Sequence, residues 1–196
     1  QHFNMALLDI LVGTEPNDGT GDDLRTGAQK VNVNSTTIQN FTGGAQYVDG
    51  TYTVGSPLVI TEGTRVKLTC DNSVVIDGNL PSDFSFGMWD ATTNKLLAVN
   101  DKDRFILEVR FKAKNSVING YFDVEIDIGG TQNVINGESK LFTKAANVEQ
   151  LFKLNFVYFT GSTFIANGGD IYIDAVNGNV SIYDIQLVPT RIHKGR

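Results

Sequence analysis

A chain of 196 residues, 41% hydrophobic and 19% charged, is long enough to bury a core and too apolar for disorder. Its 16 Lys and Arg against 22 Asp and Glu leave a net charge of −6 with no basic block, which argues against a nucleic-acid partner because phosphate binding needs clustered cations. The single Cys70 excludes an internal disulfide, two histidines and one cysteine fall short of the usual zinc cage, and no apolar run approaches the ~20 residues that span a bilayer. No metal, cofactor or membrane insertion is expected.

Met5 reads as a natural start, with residues 1–4 either a remnant or a misjudged beginning, and His2 receives no functional weight. Residues 5–12 are too short, and lack the basic flank and cleavage site, for a signal peptide. After a short apolar piece over 7–12, residues 13–22 are a run of Gly, Asn, Asp, Thr and Pro that predicts successive turns. Residues 23–40 carry the best helical pattern. Asp22 or Asp23 is a good N-cap, and Leu24, Ala28, Val31, Ser35 and Ile38 follow at alternating spacings of four and three, an a/d seam about two heptads long. Gly27 and the Thr36-Thr37 pair weaken this helix, so it needs company.

Beyond a hinge-like Thr42-Gly43-Gly44 the periodicity becomes alternating and stays so. Strands are predicted over 47–54, 58–60, 65–70, 73–77, 84–89, 95–99, 105–114, 121–128, 151–159, 163–166, 170–175 and 179–187. Turn signals include Asp77-Gly78, Asn119-Gly120, Asn136-Gly137 and Asn177-Gly178. Short strands at this spacing predict a mainly β protein: an N-terminal turn-rich segment with a helix over residues 1–44, then a jelly-roll-like antiparallel β-sandwich over 45–196. Phe105, Leu107, Val109 and Phe111 should share a buried face, as should Phe122, Val124, Ile126 and Ile128, with these two strands as hairpin partners. Val180 and Ile182 keep one parity and Ile185 and Leu187 the other, which predicts a β-bulge around Tyr183-Asp184 or a strand buried on both faces at a subunit interface.

The charged residues give little sign of catalysis. Asp123, Glu125 and Asp127 stand two apart on one strand, where carboxylates could hold Ca²⁺ or supply acid and base to a glycoside. Arg110 and Lys112 on the expected partner strand predict instead a solvated, neutralised ladder. The stretch 17–23 is rich in oxygen ligands but fails EF-hand spacing, and neither phosphate-loop pattern occurs, so turns and a helix cap account for it. His193 lies in a basic tail over 191–196, a poor scaffold for a Ser-His-Asp device. Cys70 alternates with Val66 and Leu68 as a small core residue. Alternation assigns Phe84, Phe86 and Met88 to the core and leaves Trp89 on the opposite face, as a candidate platform for a sugar ring.

Residues 13–34, GTEPNDGTGDDLRTGAQKVNVN, resemble a motif that recurs near the N-terminus of tail-fibre and other structural proteins of tailed bacteriophages, of general form G-T-x-P-N-D-G-T-G-D-x-L-R-T-A-F-x-K-x-N-x-N-F. Gly13, Thr14, Pro16, Asn17, Asp18, Gly19, Thr20, Gly21, Asp22, Leu24, Arg25, Thr26, Lys30, Asn32 and Asn34 match, while Gly27-Ala28 and Ser35 replace the Ala-Phe and Phe of the pattern. The β-region is only loosely similar to terminal sandwiches of phage fibres. The resemblance implies a non-enzymatic homotrimer in the virion, a short fibre or capsid decoration protein that contacts capsid, neck or tail proteins through Pro16, Asn17, Asp18, Gly19, Thr20, Gly21, Leu24, Arg25, Thr26, Lys30, Asn32 and Asn34. The rival expectation is a tail-fibre-type protein that binds a host receptor or surface glycan through the sandwich loops and Trp89.

Overall fold

The computed structural model describes residues 8, 10, 19, 21–39, 41–129 and 133–195, with the backbone alone for 36–39. The helical pattern produces α1 (Leu24–Gln39). Alternation then produces β1 (Gly43–Val48), β2 (Leu58–Ile60), β3 (Arg65–Lys67), β4 (Val74–Asn79), β5 (Trp89–Asp90), β6 (Lys95–Leu96), β7 (Arg104–Asn115), β8 (Tyr121–Ile128), β9 (Val134–Leu141), β10 (Gln150–Phe159), α2 (Ser162–Asn167), β11 (Gly169–Asn177) and β12 (Val180–His193). The strands form two antiparallel sheets. The first runs β10-β7-β12-β1-β4 with β2 beside β12, the second β5-β6-β11-β8-β9 with β3 beside β11. Together they make a jelly-roll-like sandwich.

One face of each sheet is buried against the other. Phe105, Leu107, Val109 and Phe111 of β7 and Phe122, Val124 and Ile126 of β8 are all sealed from solvent, as the alternation requires. Phe122 packs edge-on against Phe152 at 4.9 Å between ring centroids and tilted against Phe111 and Phe142, forming an aromatic cluster between the sheets. Tyr158 stacks between Phe105 and Phe164 at 5.2 and 5.4 Å.

Several sequence expectations are corrected. β7 and β8 are not hairpin partners but lie in opposite sheets; β7 pairs with β10 and β12, and β8 with β9 and β11. The supposed hinge is strand: Gly43 and Gly44 pair with Arg191 and Thr190, and a Cβ on Gly44 would meet the Pro189 carbonyl at 2.6 Å, so close strand approach explains the glycine. Asn136-Gly137 is no turn but the middle of β9, beside a register shift opposite Ile126 and Asp127 that absorbs it. Asp77-Gly78 likewise lies inside the edge strand β4. Residues 163–166 are helical, because a single helical turn delivers Phe164 into the core.

At Tyr183-Asp184 the bulge alternative holds and the two-faced strand does not. Tyr183 opposes Lys112 and Gln186 opposes Arg110, one extra residue on β12, with Asp184 at φ 54°. The bulge restores parity, so Val180, Ile182, Ile185 and Leu187 all point into the core. The apolar surface that the parity change was expected to leave for a subunit contact does not exist.

Candidate functional site

The residues of the N-terminal motif build a folded element around α1. Asp23 is the cap: its Oδ1 accepts the Thr26 amide at 2.6 Å, which holds its carboxyl below the usual carboxylate range. Lys30, two turns into the helix, reaches back to both carboxylate oxygens of Asp22 at 3.0 and 2.8 Å. Asn34, one turn further, donates from Nδ2 to the Leu8 carbonyl at 2.9 Å and accepts the Leu8 amide on Oδ1 at 2.7 Å. One side-chain amide thus serves Leu8 as a neighbouring strand would. Ile10 lies over Gly27, where a Cβ would meet its Cγ2 at an ordinary 3.8 Å.

Lys30 and Asn34 occupy one face of α1. The a/d seam occupies another and stays open: Leu24 is 92% exposed and Val31 51%. Ile38 belongs to the backbone-only part of the helix, and Pro16, Asn17, Asp18 and Thr20 lie outside the described residues. Arg25 and Asn32 are exposed on α1. The motif residues that can be placed therefore divide into a set that fastens the element together and a set that faces outward.

Trp89 does not offer a sugar platform. It is 2% exposed, and its Nε1 donates to the Cys70 carbonyl at 3.0 Å inside the sandwich. Residues 81–88 run as turns rather than as the expected strand: Phe84 and Met88 are buried as the alternation predicts, but Phe86 and Trp89 exchange places, with Trp89 buried and Phe86 turned out. Cys70 is core, as its alternation predicts, and burial pushes its thiol up to about 11, away from reactivity.

The acidic triplet is neutralised from a strand the sequence did not suggest. Arg65 of β3 pairs with Glu125 and with the fully buried Asp127 at 2.9 and 3.1 Å, and its guanidinium lies 3.9 Å over the Tyr172 ring. Asp123 accepts from the Ser139 hydroxyl. Arg110 and Lys112, the expected partners, lie on the other sheet, with Arg110 paired to Glu108 and Lys112 to Asp184. Among the described residues no group of three or more His, Cys, Asp or Glu could hold a metal ion, and no helix is long and apolar enough to cross a membrane.

The basic tail is also more structured than expected. Arg191 is fully buried, with Nη1 at 2.9 Å from Asp83 and 3.3 Å from Asp103, and its Nε donates to the Phe41 carbonyl. Lys194 pairs with Asp83, and the Gly195 amide donates to Asp103 at 2.6 Å. His193 ends β12 opposite Arg104 and is exposed.

No family model and no curated protein matches the sequence. Among solved structures, the chain is similar to an Eiger TNF from S. frugiperda at 8% identity, covering 80% of this chain and 96% of that one with a TM-score of 0.46. It is similar to the vertex protein P5 of PRD1 at 12% identity, 79% and 98% coverage and a TM-score of 0.43, and to the globular domain of the zebrafish complement 1qA protein at 7%, 76%, 94% and 0.42. Likenesses this distant carry no functional argument.

Proposed function

We propose that the chain is a structural protein of a tailed-bacteriophage particle, without catalytic activity, attached through its N-terminal element and projecting the sandwich outward as a short homotrimeric fibre or capsid decoration. The observation that carries this reading is the fit between the motif and its geometry. Asn34 holds Leu8 to α1 and Lys30 holds Asp22, all three motif positions, while Leu24 and Val31, with Ala28 between them in the heptad, are left facing outward. A short helix with an open a/d seam gains most from identical helices beside it, and that supports the trimer. The sequence over 17–22, all Asn, Asp, Gly and Thr, suits docking by polar contacts in a groove on another virion protein.

Deletion of residues 1–40 tests attachment; the cut stays clear of β1 and of the Phe41 carbonyl that Arg191 uses. The truncated protein should keep a β-rich circular dichroism spectrum and a cooperative melt, yet fail to join particles. Incorporation at normal copy number would move the attachment site into the sandwich. Light scattering on the intact chain should report the mass of three chains, and a monodisperse monomer would remove the fibre reading. The rival, a receptor- or glycan-binding tail protein, loses Trp89 and rests on the surface around Phe86 instead.

A further inference from the structure

The turns over 81–88 create a surface that alternation conceals. The Phe84 amide donates to the Pro81 carbonyl and the Gly87 amide to the Phe84 carbonyl, each at 2.9 Å. Gly87 adopts φ 87°, and a Cβ there would meet the Tyr47 hydroxyl at 3.1 Å, so both conformation and space call for glycine. The turn sends Met88 inward, where its amide donates to the Tyr47 hydroxyl at 2.6 Å. It sends Phe86 outward, 59% exposed, with its ring 6.0 Å from that of the buried Phe84. The edge strand β4 passes alongside with Val75 half-exposed and Asp77 exposed.

Between them lies a depression of about 280 Å³ lined by Asn72, Val75, Asp77, Ser85 and Phe86, with the buried Trp89 on its inner wall. That volume is near the lower end of the ~300–1,000 Å³ of small-molecule sites. Among the described residues, the Asp77 carboxylate and the Ser85 hydroxyl take part in no hydrogen bond or ion pair. We propose that this depression binds one neutral saccharide unit, stacked on Phe86 and held by Asp77.

A pyranose ring has an apolar C–H face and a rim of hydroxyls that both donate and accept. Phe86 and Val75 supply an apolar surface for the first, the Asp77 carboxylate accepts from adjacent hydroxyls, and Ser85 and the Asn72 amide both donate and accept. Among the described residues no cation lines the depression to hold an acidic sugar, and Asp77 would repel one, which selects the neutral class. The proposal stands on the sandwich alone, so it can fail while the attachment reading survives, and the reverse.

Trp89, the chain's single tryptophan, is a built-in reporter. Titration of the purified full chain with glucose, galactose, mannose, rhamnose or N-acetylglucosamine should change its fluorescence saturably for at least one sugar, with half-saturation at about 1–10 mM, as a single-unit site implies. Amide shifts of Ser85 and Gly87 in nuclear magnetic resonance spectra should follow the same curve. Phe86→Ala and Asp77→Asn should each weaken binding ~10-fold with an unchanged melt, since both side chains are exposed. The proposal is overturned if no sugar gives a saturable change in fluorescence or amide shift up to about 100 mM, if both variants bind as the parent does, or if spermidine saturates the site and sugars do not.

Discussion

The sandwich and the helix before it hold together by opposite means. Between the sheets, Phe111, Phe122, Phe142 and Phe152 form one sealed aromatic group and Phe105, Tyr158 and Phe164 another. In α1 the apolar side chains Leu24, Val31 and Val33 face outward, and the fastening comes from Asp23, the Asp22–Lys30 pair and the Asn34 amide. Burial of apolar area stabilises a fold in proportion to that area, whereas exposed ion pairs and single hydrogen bonds each contribute on the order of 1 kcal/mol. A region built the first way specifies itself. A region built the second way has its geometry set in advance and most of its stability left to a neighbour.

The largest expected effects lie in the sandwich. Phe122→Ala should cost about 3–5 kcal/mol in denaturant unfolding, because the cavity would sit among three other rings. Arg191→Ala should cost a similar ~3–5 kcal/mol by leaving the buried Asp103 carboxylate without its cation. If either variant unfolded like the parent, the contrast between the two regions would collapse.

Acid should act next. Burial alone would raise the pKa of Asp83, but hydrogen bonds from Arg191, Asn100 and Lys194 outweigh it and hold the carboxyl well below the usual carboxylate range. A depressed folded-state pKa means that stability is fully present above the unfolded value of about 3.9 and is lost as pH falls below it. Asp83→Asn should therefore flatten the decline in melting temperature below about pH 4, and an unchanged acid slope would mean that the Arg191 cluster does not set it. Glu125→Gln should change stability by less than ~1 kcal/mol, since Arg65 keeps Asp127 as its buried partner and the Glu125 carboxylate is partly exposed. Smallest of all on the sandwich melt is Leu24→Ala, expected to leave it unchanged while lowering the trimer fraction in light scattering. A shifted melt would place Leu24 against the sandwich.

Much of this architecture is legible from residue order. Alternation in 105–114 and 121–128 identifies both buried faces, and the Asp-capped heptad pattern locates α1 to within a residue or so at each end. Two of the errors share one cause, a local turn or strand signal that the fold overrides. Phe86 and Trp89 exchange roles because the Gly87 turn interrupts a run whose parity otherwise reads as strand. β9 is hidden because Asn-Gly signals a tight turn by local preference, while the ladder to β8 absorbs it as an irregularity in register.

What the sequence by itself determined is local: which segments alternate, where the helix begins, and which motif residues stand at which spacing. Side-chain periodicity and capping act over a few residues, so they leave a readable trace. Tertiary structure alone decided which strands pair, that Arg65 rather than Arg110 or Lys112 answers the acidic triplet, that Arg191 is a buried cation, and that Asn34 holds Leu8. These side-chain contacts join residues from 26 to more than a hundred positions apart, and such a contact forms only when the whole sandwich, or the whole N-terminal element, brings the two together.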